Sequence, residues 1–158
     1  MEEEFHNHMR IPWHDYTRKS IGRPITEASL SEKASIIGRT GIMLLSCGTG
    51  AWRVRSSMNT LARELGITCT ADIGLLSIEY TCIDGGNCYT ESLCLFNTGV
   101  NTSKLYRMEE FVNKFAGNCK KMSGDELHTL LDRIHEIHGF YSPPFLGLAA
   151  AVACCAFT

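Results

Sequence analysis

The chain of 158 residues lacks several features that mark particular protein classes. It has no basic surplus, because 15 Lys and Arg stand against 17 Asp and Glu, whereas a nucleic-acid-binding domain usually carries one. Its 4 prolines beside 14 glycines exclude a collagen-like chain or a proline-rich linker. Residues 1–5 are acidic and show no apolar signal-peptide core. We therefore expect a globular domain that does not bind nucleic acid.

The eight cysteines contain no Cys-x-x-Cys pair, which disfavours a zinc ribbon or a thioredoxin-type redox motif. Since no signal peptide is visible, we expect reduced thiols in a cytosolic compartment. No cofactor motif is present, and neither a cofactor nor a structural metal is expected.

Residues 1–28 are polar and show no sustained hydrophobic period, so a flexible N-terminal tail is predicted. His6, His8 and His14 fall in this stretch. A metal-binding arm is the alternative interpretation, but scattered histidines in a polar tail favour the plainer one.

Two N-terminal helices are predicted from the pattern that follows. The capping box Ser29-Leu-Ser-Glu32 marks the start of the first helix, and apolar residues then recur at three and four positions. Gly38 and Gly41 interrupt this stripe and predict close approach to another backbone. A second helix is expected over residues 51–65, ended by Gly66.

The middle of the chain predicts a small antiparallel sheet. Strands are expected over 67–73, 75–83 and 88–95, and Asp84-Gly-Gly-Asn87 is a strong hairpin signal. In that hairpin Ile83 faces Cys88 and Cys82 faces Tyr89, so Cys82 and Cys88 point to opposite faces and a disulfide between them is disfavoured.

Two more helices are expected after the sheet. The first is capped by Asn101, Thr102 or Ser103. The second begins at the capping box Ser123-Gly-Asp-Glu126 and ends at Gly139. Helices and strands in separate runs predict an α+β domain over residues 29–142.

An uncharged segment follows the Pro-Pro pair at 143–144. Residues 145–158 number 14 and cover about 21 Å as a helix, whereas a hydrocarbon core is about 30 Å thick. Two interpretations remain open, a buried core helix and the first part of a transmembrane helix. Residues 143–158 are assigned here as the incomplete start of a transmembrane helix.

Two stretches carry a family resemblance: Gly-Ile-Met-Leu-Leu-Ser-Cys-Gly-Thr-Gly-Ala-Trp-Arg-Val-Arg at 41–55 and Leu-Ala-Arg-Glu-Leu-Gly at 61–66. Together with the Asp84-Gly-Gly turn, the Thr98-Gly-Val-Asn101 turn and the Pro-Pro pair that leads into an Ala-rich segment, they resemble the threonine/serine exporter family. The resemblance singles out six residues as family-signature candidates: Gly48, Arg53, Val54, Gly66, Asp84 and Gly85. The sequence departs from the family at Gly50 and Arg55, where acidic residues are frequent.

The resemblance implies a transporter component rather than an enzyme. Family members lie in the inner membrane, with a cytoplasmic N-terminal domain followed by transmembrane helices. They export small polar solutes, either threonine and serine or a dicarboxylate such as succinate. The implied partners are membrane lipid, the solute, and a second membrane subunit or further copies of the chain. The soluble domain is expected to serve in gating, regulation or subunit assembly.

Two alternative functions compete with the exporter. Cys47 lies in a Cys-Gly-Thr-Gly junction where helix-end amides lower a thiol pKa, which predicts a hydrolase-like enzyme with a reactive thiol and a pocket beside it. A small residue at a tight helix junction is the favoured interpretation of Cys47. The other alternative is a binding module that recruits a membrane partner.

Three further patterns indicate possible ligands. His128, His135 and His138, with Cys119, have the chemistry of a zinc site, although solvent-exposed histidines are favoured. The segment Gly48-Thr-Gly50 before a helix is a weak phosphate signal. The arginines of the second helix are suited to anionic lipid headgroups, but a solvated face paired to Glu64 is the default; they are Arg53, Arg55 and Arg63.

Overall fold

The computed structural model describes residues 11–18, 22–96 and 98–137. The main elements are α1 (Leu30–Ser46), α2 (Ala51–Glu64), β1 (Thr68–Ile73), β2 (Ser77–Asp84), β3 (Asn87–Cys94), α3 (Thr102–Asn118) and α4 (Gly124–His135). Short 3-10 helices cover Trp13–Thr17, Ile25–Glu27 and Cys119–Lys121. The predicted α+β order, two helices, a sheet and two helices, is confirmed. The segment 143–158, assigned to a transmembrane helix, lies outside the described residues.

Local signals fix where the helices begin and end. Ser29 accepts from the backbone N–H of Glu32 at 3.4 Å, and the Glu32 carboxylate accepts from the Ser29 N–H at 2.9 Å. The same reciprocal bonds form at Ser123 in α4. Asn101 caps α3 by accepting from the Lys104 N–H at 2.9 Å. Gly66 follows α2 with φ of 72°, a left-handed conformation that costs other residues free energy.

The three strands form one antiparallel sheet in the order β1-β2-β3. The predicted hairpin register is confirmed, with Ile83 opposite Cys88 and Cys82 opposite Tyr89. Cys82 is buried whereas Cys88 is exposed, as opposite faces require. The first strand places Cys69 directly opposite Cys82, and both are buried free thiols.

Helix α1 forms the centre of the domain. It is buried along nearly its whole length because α2, the sheet, α4 and the N-terminal segment all pack on it. Here and below, the N-terminal segment means residues 11–18 and 22–28. Gly38 and Gly41 do allow close approach, but their neighbours are the side chains of Tyr80 and Met58. The expectation of another backbone at these glycines was therefore wrong.

The long elements run between two ends of the domain. Lys33 Nζ lies 3.8 Å from Asp84, which places the start of α1 beside the hairpin turn. At the opposite end, the Gly99 N–H donates to the Ser46 carbonyl at 3.1 Å, and the Leu95 N–H to the Leu76 carbonyl at 2.7 Å. We call this second end the exit end, because Ile137, the last described residue, lies there beside Asn101. It is formed by residues 46–52, 74–76, 95–96, 98–106 and 135–137.

The prediction of a flexible tail over 1–28 needs correction where the structure describes it. Ile25 is fully buried and Thr17 almost so. The Ile25 N–H donates to the Met122 carbonyl at 2.8 Å. Residues 11–18 and 22–28 therefore pack on the domain. Their few apolar residues are too widely spaced to give a hydrophobic period, although Trp13 packs on His128 and Ile25 lies beside Met122, both far along the chain.

None of the helices within residues 11–18, 22–96 and 98–137 combines the length and the hydropathy that a bilayer crossing requires.

Candidate functional site

A partly open cavity of about 600 Å³ lies between the N-terminal segment, α1, α4 and the end of β3. Its volume falls within the range of small-molecule sites. Apolar walls come from Ile11, Pro12, Trp13, Ile42, Met43 and Leu95. The polar side chains that line it carry both signs of charge, and they are His14, Asp15, Arg39, Ser46, Asp132 and His135.

Arg39 is the buried cation of this cavity. It projects from the middle of α1 and donates from Nη1 to the carbonyl of His128 at 3.0 Å and from Nη2 to Asp132. Its guanidinium carbon lies 5.7 Å from the centre of the Trp13 ring, within cation–π range. A buried charge is tolerated only with such partners, so Asp132 and the α4 backbone hold Arg39 in place.

His128 is fully buried behind Arg39. Arg39 Nη1 lies 3.3 Å from His128 Nδ1. Arginine can only donate, so Nδ1 must accept. The other ring nitrogen, His128 Nε2, lies 3.0 Å from Ser35 Oγ. The Ser35 hydroxyl donates to the Glu32 carbonyl at 2.8 Å, so Ser35 Oγ accepts from His128 Nε2–H. Burial, and next the Arg39 charge, lower the His128 pKa to about 3, which leaves a neutral imidazole.

The expectation that His128 is exposed to solvent was wrong. Its face of α4 is covered by α1 and by the N-terminal segment, whose Trp13 ring stacks on the imidazole at 6.0 Å between centroids. His135 is exposed, as expected. His138 lies outside the described residues.

His14 attaches the N-terminal segment to α4. Its Nδ1 donates to Asp125 at 2.7 Å and its Nε2 to Asp132 at 2.8 Å. Both partners are carboxylates, so both ring nitrogens carry protons and the ring is an imidazolium. These bonds, to Asp125 and then Asp132, raise the His14 pKa. Partial burial by itself raises the Asp132 pKa, but the bonds from Arg39 and His14 outweigh it and lower that pKa.

Glu91 provides a second attachment for the N-terminal segment. Its carboxylate accepts from the Tyr16 hydroxyl at 2.6 Å and from the Tyr80 hydroxyl at 2.7 Å. Burial, and next these bonds to Glu91, raise the pKa of both tyrosines, so both remain protonated donors. The N-terminal segment is thus bonded to α4 on one side of the domain and to β3 on the other.

The predicted zinc ligands do not come together in the described part of the chain. His128 faces Arg39 and Ser35, whereas Cys119 lines a different cavity of about 340 Å³ between α3 and α4. Among the described residues, no group of three or more His, Cys, Asp or Glu side chains is placed to hold a metal ion.

Cys47 does not have the environment of a nucleophile. Its side chain is almost fully buried, and this burial raises the pKa of the thiol. It is not among the residues that line the 600 Å³ cavity, although its neighbour Ser46 is. A protonated thiol out of contact with solvent reacts poorly, so the geometry gives the hydrolase hypothesis no support.

None of the six family-signature candidates lines the cavity, and they are divided between the two ends of the domain. Val54 is a fully buried core residue of α2. Gly48 and Arg53 lie near the exit end, where Arg53 donates to Glu109 at 2.8 Å. The other three candidates lie at the opposite end of the domain, with Gly66 and Gly85 in turns and Asp84 at the end of β2.

The other arginines of α2 also have partners. Arg55 donates from Nε to the Ala71 carbonyl at 3.0 Å. Arg63 Nε lies 3.9 Å from Glu64, the partner expected from the sequence. Lys120 lies closer to Glu64, at 2.6 Å.

The sequence singled out His14 and His135 only as possible metal ligands, and it missed the charged residues Asp15, Arg39 and Asp132 of the cavity. Two signals were nevertheless present. Arg39 is a charge in the middle of an otherwise apolar helical stretch. Asp125, His128 and Asp132 are spaced by three and four residues, which places them on one face of a helix. Neither signal says which distant segment covers that face.

Comparison with known proteins identifies the family. A family model described as "Putative threonine/serine exporter" (ThrE) matches residues 35–158. No curated protein and no solved structure gives a significant match. The family match begins in α1, extends through α4 to residue 158 and covers far more than half of the chain, whereas the cavity residues 11–15 lie outside it. The chain therefore belongs to the threonine/serine exporter (ThrE) family.

Proposed function

We propose that this chain is the water-soluble N-terminal part of an inner-membrane exporter of small polar metabolites, together with the start of its first membrane segment. The soluble domain lies in the cytoplasm, and the exported solute is threonine or serine, or a dicarboxylate such as succinate. The observation that carries this proposal is the family match over residues 35–158. The uncharged stretch 145–158, which follows the described domain, supports it.

Further membrane segments are needed to form a translocation path. An uncharged stretch of 14 residues is shorter than the roughly 20 that cross a bilayer. In our proposal the remaining segments come from a longer protein, from a second membrane subunit or from further copies of this chain, embedded in lipid.

For the soluble domain we propose a role in sensing the cytoplasmic level of the solute. The 600 Å³ cavity presents the Arg39 guanidinium and the Asp132 carboxylate side by side, next to apolar walls. In our proposal a zwitterion such as an α-amino acid replaces this ion pair, pairing its carboxylate with Arg39 and its ammonium with Asp132. A dicarboxylate has no ammonium to pair with Asp132, whereas a zwitterion supplies both charges. We therefore propose that the cavity binds threonine or serine in preference to succinate.

Export itself is tested by efflux of labelled threonine, serine and succinate from cells with and without the intact gene. We expect loss of the gene to slow the efflux of threonine and serine, and expression of the gene to restore it. Equal efflux of all three solutes in both strains would refute the exporter proposal.

Sensing is tested by titrating the full chain, held in mild detergent, with threonine, serine and succinate in a calorimeter. We expect the amino acids to bind and Arg39→Lys to weaken binding at least tenfold, because lysine cannot donate in the planar fork of arginine. Arg53→Lys is the matched control, since Arg53 lies outside the cavity and pairs with Glu109. Equal binding by both variants, or no binding by the wild type, would overturn the sensing role and leave the exporter proposal intact.

A further inference from the structure

Exposed apolar side chains of the described residues are concentrated at the exit end. Seven large apolar residues are exposed, and six of them lie there. The most exposed are Leu75 at 86 %, Val100 at 78 % and Trp52 at 69 %. Single exposed apolar residues are ordinary on a protein surface, but a concentration of them at one end marks an interaction surface. Ile83, near the hairpin turn, is the exception.

Backbone contacts bring these side chains to the same end. Gly48 lies just before the start of α2, which carries Trp52. A Cβ built on Gly48 would lie 3.6 Å from the Val100 side chain. Leu75 lies in the β1–β2 turn, next to Leu76, which accepts from the N–H of Leu95. Phe96 and Tyr106, both half-exposed or more, lie in the following segment and in the first turns of α3.

The described chain also leaves the domain at this end. The Asn101 side-chain amide donates to the Ile137 carbonyl at 3.1 Å, directly beside Val100 in the sequence. The uncharged stretch begins eight residues beyond Ile137, at Phe145. Eight residues span at most about 28 Å even when fully extended. If the stretch enters a bilayer, the exit end is the part of the domain held closest to the lipid surface.

We propose that the exit end lies on the lipid bilayer, with Trp52, Leu75 and Val100 among the lipid headgroups. This inference rests on the proposed membrane segment at 143–158. Trp and Tyr side chains prefer the interface between lipid and water, and the exit end carries one of each in exposed positions. Leu75 and Val100 project from connections between elements, and lipid, unlike a protein partner, needs no complementary shape to cover them.

Tryptophan fluorescence tests this orientation, because Trp13 and Trp52 are the two tryptophans of the chain. The full chain is reconstituted into vesicles of phosphatidylethanolamine and phosphatidylglycerol that contain spin-labelled lipid as a quencher. We expect strong quenching of the wild type and at least threefold weaker quenching of Trp52→Phe, whose remaining Trp13 is only partly exposed and stacks on the buried His128. Trp52 is exposed, so this substitution leaves the core untouched.

Two matched probes extend the test. On the Trp52→Phe background, Leu75→Trp places the fluorophore at the exit end and Ile83→Trp places it near the opposite end. Both positions are exposed, so both variants should fold, which far-ultraviolet circular dichroism checks. We expect the spin-labelled lipid to quench the Leu75→Trp probe and to spare the Ile83→Trp probe.

Vesicle flotation separates the two proposals. A chain that does not float with the vesicles overturns the membrane segment and this inference with it. A chain that floats while Trp52 and the Leu75→Trp probe stay unquenched overturns this inference alone. A chain whose Trp52 is shielded in vesicles from both the spin-labelled lipid and a water-soluble quencher such as iodide also overturns it, since a second protein copy then covers the exit end.

Discussion

Replacing Gly38 by alanine tests how closely α1 packs on the sheet. A Cβ built at this position would lie 2.5 Å from Cζ and 2.7 Å from Cε1 of Tyr80. The Tyr80 ring is almost fully buried and cannot rotate away as a flexible side chain would. Its hydroxyl donates to Glu91 at 2.7 Å and lies 3.0 Å from the Ala34 carbonyl. The added methyl group must therefore displace the ring or α1 itself.

Three terms set the expected change in the free energy of unfolding. Forcing a methyl group into a packed core costs about 1–3 kcal/mol. Disturbing the Tyr80 bond to the charged Glu91 carboxylate costs about 1.5–3 kcal/mol when the bond is lost. Alanine recovers about 1 kcal/mol over glycine in a helix. We expect Gly38→Ala to destabilise the domain by roughly 2–4 kcal/mol.

Urea denaturation of the full chain in mild detergent, followed by circular dichroism, measures this change. Gly117→Ala in α3 is the matched control, since a Cβ there meets nothing within 4 Å. It should stabilise the domain by about 0.5–1 kcal/mol, so the same substitution in two helices has opposite signs. A Gly38→Ala variant as stable as the wild type would refute the close approach of α1 to β2.

The remaining predictions concern the ionic cluster and the thiols. Because the His14 pKa is raised in the folded chain, its contribution to stability is complete below its unfolded pKa of about 6.5 and is lost as the pH rises through the folded pKa. The difference in urea midpoint between wild type and His14→Gln should thus be larger at pH 5.5 than at pH 9, and an equal difference would contradict this assignment. Asp132→Asn leaves Arg39 buried without its carboxylate and should destabilise the domain by about 2 kcal/mol at pH 7, measured by the same denaturation; an unchanged midpoint would argue against the ion pair. Iodoacetamide should modify the exposed Cys88 at least tenfold faster than the buried Cys47. Peptide mass mapping measures both rates, and comparable rates would support a reactive thiol at Cys47.

The parts of the fold that the sequence predicted correctly depend on neighbours a few residues apart. The capping boxes at Ser29 and Ser123 need only a carboxylate three residues later. The hairpin register follows from the turn at Asp84-Gly-Gly-Asn87, because the two turn residues fix which positions face each other. Such signals are complete within a short window of sequence.

The parts that were wrong or missed depend on contacts between distant segments. His128 and Arg39 are separated by 89 residues, and His14 and Asp125 by 111. A histidine beside an apolar stripe looks exposed until α1 and Trp13 are placed over it. Likewise, His14 in a polar stretch looks like part of a tail until two carboxylates of α4 are brought to its ring.

The sequence by itself determined the order of the main elements, their boundaries to within a few residues, the register of the β2–β3 hairpin and the exporter family. Only the tertiary structure decided which charges are buried, which protonation states they hold and which end of the domain carries the exposed apolar side chains. The physical reason is the distance along the chain over which the deciding interactions act. Helix caps and turns are decided by bonds within a few residues, whereas desolvation and ion pairing depend on every segment that packs around a group.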